Sequence, residues 1–257
     1  MPAVETNGAS IYYEVHGDGP AVVFAHGRGG NAASWWQQVP HFAQNYQVIV
    51  FDHRTFGRST CPEEKFDRSL FDSDLIAILD QEMITRTAIV CQSMGGWTGL
   101  RASVYHPSRV SCLVLSNTPG GMNIPNVQIA LKHSQKQFLK RGVGSAAVAP
   151  DFPNRDPNAA YLYRHISSLN INLPNDLSKG NPTGITPDEM DGFAIPTLMI
   201  TSEHDQLFPP SLIREVSKYI PGSSVTELPT AGHSPYFETP DAFNATVAQF
   251  LAGNILG

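Results

Sequence analysis

Cysteine is scarce in this chain of 257 residues, and long apolar runs and an excess of basic charge are missing. Its three cysteines, Cys61, Cys91 and Cys112, are too few for a disulfide framework. No apolar run reaches the length of about 20 residues that a membrane-spanning helix needs. Lysine and arginine number 17 against 23 aspartates and glutamates, and the net charge of −6 argues against a nucleic-acid groove or a basic membrane-binding face. The first residues carry no signal-peptide pattern, so we expect a cytoplasmic protein.

The chain does have enough apolar sequence for a large core. Hydrophobic residues make up 41% of it and charged residues 16%, which excludes global disorder. The length suits one large α/β domain. The 21 glycines and 20 prolines indicate many tight turns.

Short apolar runs alternate with helical patterns along most of the chain. Strands are predicted over 9–15, 21–25, 47–51, 87–91, 109–115, 197–200 and 224–228. Helices are predicted near 32–43, 66–83, 95–105, 210–219 and 239–252. Continuous apolar strands are typical of a parallel sheet that is buried on both faces. The alternation therefore predicts an open, mostly parallel, twisted sheet with helices on both faces.

The alternation is interrupted over residues 119–195, where no buried strand is indicated. Helices are indicated there over 127–141 and 159–169, with proline and asparagine clustered around them. We interpret 119–195 as an inserted helical cap. The core would then comprise residues 1–118 and 196–257.

One strand leads into a serine. The strand that ends at Cys91 runs through Gln92 into Ser93, and a helix follows from Gly95-Gly96. Strand, x-Ser-x-Gly-Gly, helix is the arrangement of a nucleophile elbow, where a sharp turn exposes the hydroxyl to a base. Cys91 stands where a glycine is usual. The amide of Met94, at the start of the helix, is a predicted oxyanion donor.

The loop over residues 26–30, HGRGG, directly follows the strand over 21–25. It would bring the amide of Arg28 to the same oxyanion as a second donor. The alternative is that its glycines only form a strand-to-helix turn. The Arg28 side chain, at the mouth of the site, would pair with a substrate carboxylate or face solvent.

A base and an acid that orients it should follow the serine, the acid first. Asp205 comes just after the sixth predicted strand and His233 just after the seventh. Because sites in open α/β sheets form at the carboxyl ends of strands, both lie at the same edge as Ser93. Glu203 competes with Asp205 for the role of the acid. Other histidines near strand ends, His26, His53 and His204, are the alternatives to His233.

Together these motifs resemble those of α/β-hydrolase-fold serine hydrolases, of the esterase or lactonase kind, over nearly the whole chain. The resemblance implies Ser93 as nucleophile, Asp205 as orienting acid and His233 as base. The segment 51–59, FDHRTFGRS, is similar to the family's D-x-R-G-x-G-x-S segment, with Thr55 in place of a glycine.

The hypothesis is a hydrolase that cleaves a carboxylic ester or lactone of a small molecule through an acyl-enzyme on Ser93. Within the fold, the alternative is cleavage of a carbon–carbon bond β to a carbonyl by the same residues. A dinucleotide-binding protein is the alternative of a different class, because residues 27–32 fit G-x-G-x-x-A and Asp52 ends the next strand. A hydrolase fold that binds a ligand without catalysis is another.

The remaining predictions concern the surroundings of the site. Trp97 and Trp36 lie near it in the sequence and are candidates for substrate binding, with core packing as the alternative. Asp52 is a further candidate for the acid, but we interpret it as an ion-pair partner of Arg54 that braces the loop. Neither H-E-x-x-H nor C-x-x-C occurs, so no metal or other cofactor is predicted. The sequence leaves the oligomeric state open.

Overall fold

The computed structural model describes residues 2–129, 146–174, 177 and 184–255. Its strands are β1 Ala3–Thr6, β2 Ala9–His16, β3 Ala21–Ala25, β4 Gln47–Phe51, β5 Thr87–Gln92, β6 Val110–Ser116, β7 Thr197–Ser202 and β8 Ser224–Leu228. Within the described residues they form one eight-stranded sheet in the order β1-β2-β4-β3-β5-β6-β7-β8. β2 is antiparallel to both its neighbours, and the other neighbouring strands are parallel. The predicted mostly parallel sheet is confirmed.

Helices of eight residues or more are α1 Phe71–Gln81, α2 Gly95–Tyr105, α3 Pro157–Ser168, α4 Pro210–Ser217 and α5 Pro240–Asn254. Shorter helical turns cover Ala32–Trp35, Val39–Phe42, Glu63–Lys65, Arg68–Leu70, Pro107–Arg109, Phe152–Arg155, Pro187–Met190 and Pro235–Glu238. No helix in this part of the chain has both the length and the apolar character to cross a bilayer.

Successive residues of each buried strand point to opposite faces of the sheet, so the core forms two layers. In β3, Val23 and Ala25 join one buried cluster, to which α1, α2 and α4 contribute their apolar side chains. Val22 and Phe24 join the other cluster, which α5 covers with residues such as Phe243. Helices therefore pack on both faces, as the sequence predicts.

The predicted continuous helix over 32–43 is wrong. The chain forms two short turns there, Ala32–Trp35 and Val39–Phe42. The side chain of Asn31 accepts a hydrogen bond from the Ala33 amide and begins the first turn. Pro40 lacks the N–H that a helix continuing from Trp36 would need, but it fits the start of a new turn.

β1 has no counterpart among the predicted strands. It has four residues, lies at the edge of the sheet and, among the residues that the structure describes, pairs only with β2. Its residues are exposed or half-buried, so its sequence carries no buried apolar run. Its extended conformation therefore depends on pairing with β2 and not on an apolar pattern of its own.

Between β6 and β7, the described residues contribute no strand to the large sheet. They form helix α3 and the short turns Phe152–Arg155 and Pro187–Met190, and Met122 makes an isolated bridge to Ile185. The helix predicted over 127–141 lies mostly outside the described residues. The cap stays a prediction.

Candidate active site

Ser93 sits on a sharp turn between β5 and α2. Its φ of 51° is in the left-handed region that side chains other than glycine rarely adopt. The turn is held by the Ser93 amide, which donates to the Ser116 carbonyl over 3.0 Å, and by the Gly96 amide, which donates to the Ser93 carbonyl over 3.0 Å. A side chain at Gly95 would collide with the main chain of Ala25, so α2 can begin there only with glycine.

His233 and Asp205 are joined by a hydrogen bond. Nδ1 of His233 lies 3.0 Å from Oδ2 of Asp205, and both side chains are buried. A carboxylate accepts, so Nδ1 carries the proton and Nε2 is left as the free basic nitrogen. The competing acid, Glu203, is exposed and accepts from the Thr230 amide instead. Of the two candidate acids, the structure brings Asp205 to His233.

Three further donors hold the carboxylate of Asp205. Oδ1 accepts from the amides of Leu207 and Phe208 over 2.8 and 2.9 Å. Oδ2 accepts from Nδ2 of Asn117 over 2.8 Å as well as from His233. These four donors fix the orientation of the Asp205 carboxylate. Asn117 is a residue that the sequence reasoning missed, although its position directly after β6 at the carboxyl edge of the sheet was a usable signal.

The loop that carries His233 covers residues 229–234, between β8 and the turn Pro235–Glu238, and is called the His233 loop below. It lies against the turn that bears Ser93. Nε2 of Gln92, the residue before Ser93, donates to the His233 carbonyl over 2.9 Å. Sequence reasoning assigned no role to the Gln92 side chain. No hydrogen bond between Ser93 and His233 is present within the described residues.

The loop over residues 26–30 passes beside Ser93. A side chain at Gly27 would overlap the Gln92 side chain, and its Cβ would lie 3.1 Å from Cβ of Ser93. The Gly30 amide donates to the Gly27 carbonyl over 2.9 Å and closes the loop. Arg28, at its tip, is exposed. The loop is thus placed next to the serine.

Two buried histidines brace this loop. Nδ1 of His26 donates to the Gly27 carbonyl over 2.8 Å, and Nε2 of His26 accepts the main-chain N–H of His53 over 2.9 Å. Nε2 of His53 lies 2.8 Å from Oγ1 of Thr98 on α2. Burial lowers the pKa of His26. Burial is the largest cause that holds the pKa of His53 well below its usual value, and the neighbouring His26 imidazole and the Arg54 charge lower it further.

Those contacts leave His26 and His53 without a free basic nitrogen directed at Ser93. His204, the third alternative, is about half exposed and lies 3.9 Å from the Glu203 carboxylate. Among the histidines that the sequence offered, His233 alone contacts the acid Asp205 in the described structure.

The interpretation of Asp52 as the ion-pair partner of Arg54 is wrong. Arg54 is fully buried and makes a two-pronged ion pair with Asp74 of α1, over 2.6 and 2.8 Å. Asp52 instead accepts from the amides of Ala32 and Arg58, over 2.6 and 2.7 Å, and its ion-pair partner is Nε of Arg58 at 3.4 Å. The reason is that Arg54 points into the core beneath α1.

The contacts of Asp52 also bear on the dinucleotide alternative. Both of its oxygens are engaged by the chain itself, and the residue has no exposed surface to offer a ribose. The glycine-rich loop leads into the short turn Ala32–Trp35 and not into a long helix whose N-terminus would bind a pyrophosphate.

The two candidate tryptophans differ in their surroundings. Trp97 lies half-buried on α2, one turn after Ser93, with the guanidinium of Arg68 4.9 Å above its ring. Trp36 is 46% exposed, and its ring lies 6.2 Å from that of Phe237. His, Cys, Asp and Glu side chains in the described part of the chain form no group of three that could hold a metal ion.

A family model of the alpha/beta hydrolase fold matches residues 20–240, so the chain belongs to this family. It is 27% identical to a putative carbamate hydrolase of Caulobacter sp. (strain K31), over 95% of this chain and 96% of that one. It is 29% identical to a putative non-heme bromoperoxidase of Mycobacterium tuberculosis, over 95% and 98% of the two chains. A solved structure of an N-acyl homoserine lactone degrading enzyme superposes with a TM-score of 0.82 at 27% identity, covering 97% of this chain and 100% of that one. Fold and family define the protein as a hydrolase.

Proposed function

We propose that this hydrolase cleaves a carboxylic ester or lactone of a small molecule through an acyl-enzyme on Ser93. The observation that carries the proposal is the placement of Ser93 on a left-handed turn against the loop where His233 is hydrogen-bonded to Asp205. A serine on a sharp turn, next to the loop that carries an oriented imidazole, is an arrangement suited to nucleophilic catalysis. The hydroxyl of Ser93 has to come within hydrogen-bond distance of Nε2 of His233 when substrate is bound.

In the first half of the reaction, Nε2 of His233 takes the proton from Ser93 as Oγ attacks the carbonyl carbon. Asp205 holds the Nδ1–H tautomer and stabilises the imidazolium that forms. The carbon–oxygen bond to the leaving group then breaks, and the imidazolium gives its proton to the departing alkoxide. In a lactone that alkoxide stays attached to the acyl chain.

In the second half, His233 takes a proton from water as the water attacks the acyl-enzyme. The bond to Oγ breaks, the acid leaves and Ser93 regains its proton. The chemistry needs no metal or other cofactor. In both halves the carbonyl oxygen becomes an oxyanion, for which the amides of Met94 and Arg28 are the proposed donors. The proximity of the 26–30 loop to Ser93 supports the second of these.

The proposed substrate class rests on the relatives and on the side chains near the turn that bears Ser93. One relative is named for carbamate hydrolysis and one structural neighbour for lactone degradation, and both reactions begin at a carbonyl carbon bonded to oxygen or nitrogen. Trp97, one turn beyond Ser93, is a proposed wall of the acyl pocket, and Trp36 a proposed contact nearer the surface. A panel of p-nitrophenyl esters, lactones and dienoic ketones separates ester and lactone cleavage from carbon–carbon cleavage.

The nucleophile is tested by Ser93→Ala. Without the hydroxyl no acyl-enzyme forms, so we expect kcat on a p-nitrophenyl ester to fall by about 10⁴-fold or more. Ser223→Ala, at a serine far from the turn in the sequence, serves as the control and should keep full activity. Near-normal turnover by Ser93→Ala, or a fluorophosphonate that labels the protein elsewhere, would refute the assignment.

A further inference from the structure

Glu238 has a buried carboxylate for which the proposed reaction has no use. Its side chain has no exposed surface. It ends the short turn Pro235–Glu238 that follows His233. Burial raises the pKa of this carboxyl, although three backbone amides that donate to it act in the opposite direction. Burying a carboxylate is costly unless it is well hydrogen-bonded, so its partners are informative.

Two of those partners flank the proposed base. Oε2 of Glu238 accepts from the Gly232 amide and Oε1 from the Ser234 amide, each over 3.0 Å. The carboxylate therefore spans the main chain on both sides of His233. Fixing the two neighbouring peptides restricts the backbone that carries the imidazole, and with it the direction of Nε2.

The third partner belongs to the segment between β6 and β7. The Ala149 amide donates to Oε2 over 2.8 Å. Gly232 packs so closely on this segment that an added Cβ would lie 2.9 Å from Cα of Ala149. Oγ of Ser234 also donates to the Ala147 carbonyl over 2.8 Å. One carboxylate thus joins the His233 loop to residues 147–149.

We propose that Glu238 is a positioning residue that fixes the backbone on both sides of His233 and couples the orientation of this base to the seating of residues 147–149. The proposal rests on the proposed function, in which His233 is the base. In the described structure Glu238 makes no hydrogen bond to Ser93 or Asp205. It acts through the amides of Gly232 and Ser234.

The first test is Glu238→Gln, assayed with p-nitrophenyl butyrate. The substitution keeps the size of the side chain but replaces one acceptor oxygen with an NH₂ group that faces amide donors. A misdirected base slows chemistry without changing substrate contacts, so kcat should fall about 10- to 100-fold while KM changes less than about threefold. Folding is checked by circular dichroism and thermal unfolding.

The matched control is Asp72→Asn. Asp72 is also a buried carboxylate, but it lies on α1 and pairs with Arg101, away from the His233 loop. Its variant should keep the wild-type kcat. Wild-type kcat in folded Glu238→Gln would overturn the proposal.

The second readout is the NMR resonance of the His233 Nδ1 proton, which is hydrogen-bonded to Asp205 and is measured without substrate. It should shift or broaden in Glu238→Gln and stay unchanged in Asp72→Asn. An unchanged resonance in Glu238→Gln overturns the proposal even if kcat falls, because the loss would then arise elsewhere. If Glu238→Gln does not fold, Glu238→Asp, which keeps the charge but reaches fewer amides, is judged by the same two criteria.

The two proposals fail in different ways. Full activity in Ser93→Ala would overturn the proposed function, whereas the proton resonance reports on the His233 loop whatever the substrate is. An inactive Ser93→Ala variant together with a fully active Glu238→Gln variant would support the proposed function and overturn the positioning role of Glu238.

Discussion

Among the residues around the site that hold left-handed backbone without being glycine are Ser93, Asn117 and Thr55. Ser93 and Asn117 both have φ of 51°, and Thr55 has φ of 73°. Asparagine tolerates this region, but serine and especially a β-branched threonine are strained in it. At Ser93 and Asn117 the strain accompanies a side chain directed at the site. At Thr55 it accompanies no hydrogen bond of the side chain, because the buried Oγ1 has no hydrogen-bond partner within the described residues.

We expect Thr55→Gly to stabilise the protein. Glycine removes the left-handed strain, worth about 1–2 kcal/mol, and the unpaired hydroxyl, while losing a buried methyl group and some chain entropy. The expected net gain in the free energy of unfolding is about 1 kcal/mol, measured by urea denaturation. Thr55→Ala removes the same hydroxyl but keeps Cβ, so it should be less stable than Thr55→Gly. Equal or greater stability of Thr55→Ala would show that the backbone there is not strained.

At the scale of elements, the segment from residue 146 to residue 170 contacts both loops of the proposed site. One end meets the His233 loop, where the Tyr163 hydroxyl of α3 lies 2.9 Å from Oγ of Ser234. The other end meets the 26–30 loop, where Nδ2 of Asn170 donates to the Gly30 carbonyl over 3.1 Å. Oδ1 of Asn170 accepts from the Gly57 amide over 2.9 Å. The segment over residues 146–170 therefore supports both loops.

Asn170→Ala should lower kcat more than it raises KM. The side chain ties the 26–30 loop to Gly57, and its loss frees the loop that carries the proposed Arg28 amide. Since a loss of about 1.4 kcal/mol of transition-state stabilisation is tenfold in rate, we expect kcat to fall about tenfold. The measurement is steady-state kinetics on a p-nitrophenyl ester, with Asn154→Ala, on the short turn Phe152–Arg155, as the comparison. A change in KM alone would contradict the argument.

At the scale of the whole molecule, neutral buried histidines link stability to pH. The pKa values of His26 and His53 are lowered by burial, so both stay uncharged in the folded protein. In the unfolded chain histidine takes up a proton below a pKa of about 6.5. The unfolded state then binds more protons, so stability is present above that pH and is lost as the pH falls below it.

The free energy of unfolding should therefore decrease between pH 6.5 and 5.5, by up to about 1.4 kcal/mol per pH unit for each of these histidines. Asp74 acts in the opposite direction over about pH 4 to 6, because burial raises its pKa to about 6. The contribution of one histidine is isolated by His53→Asn, whose slope should be smaller than that of the wild type. Urea denaturation at a series of pH values measures both slopes. Identical slopes would show that His53 is not neutral in the folded state.

The mostly parallel sheet was predictable because each buried strand, such as β3 or β5, is a continuous apolar run between turn residues. The order of the strands in the sheet was not predicted. The edge strand β1 and the break between Ala32–Trp35 and Val39–Phe42 were not predictable, since pairing with β2 and the capping by Asn31 depend on neighbours and single contacts. Similarly, the pattern at Arg54 indicated an ion pair but not that Asp74 completes it.

The sequence by itself determined that a serine, an acid and a histidine follow strand ends in that order, because the carboxyl ends of parallel strands share one edge of the sheet. Only the tertiary structure decided that Asp205 and not Glu203 meets His233, that Asn117 donates to Asp205, and that Glu238 accepts from the amides on both sides of His233. Hydrogen bonds between loops that are far apart in sequence depend on ångström-scale placement, which local apolar patterns do not encode.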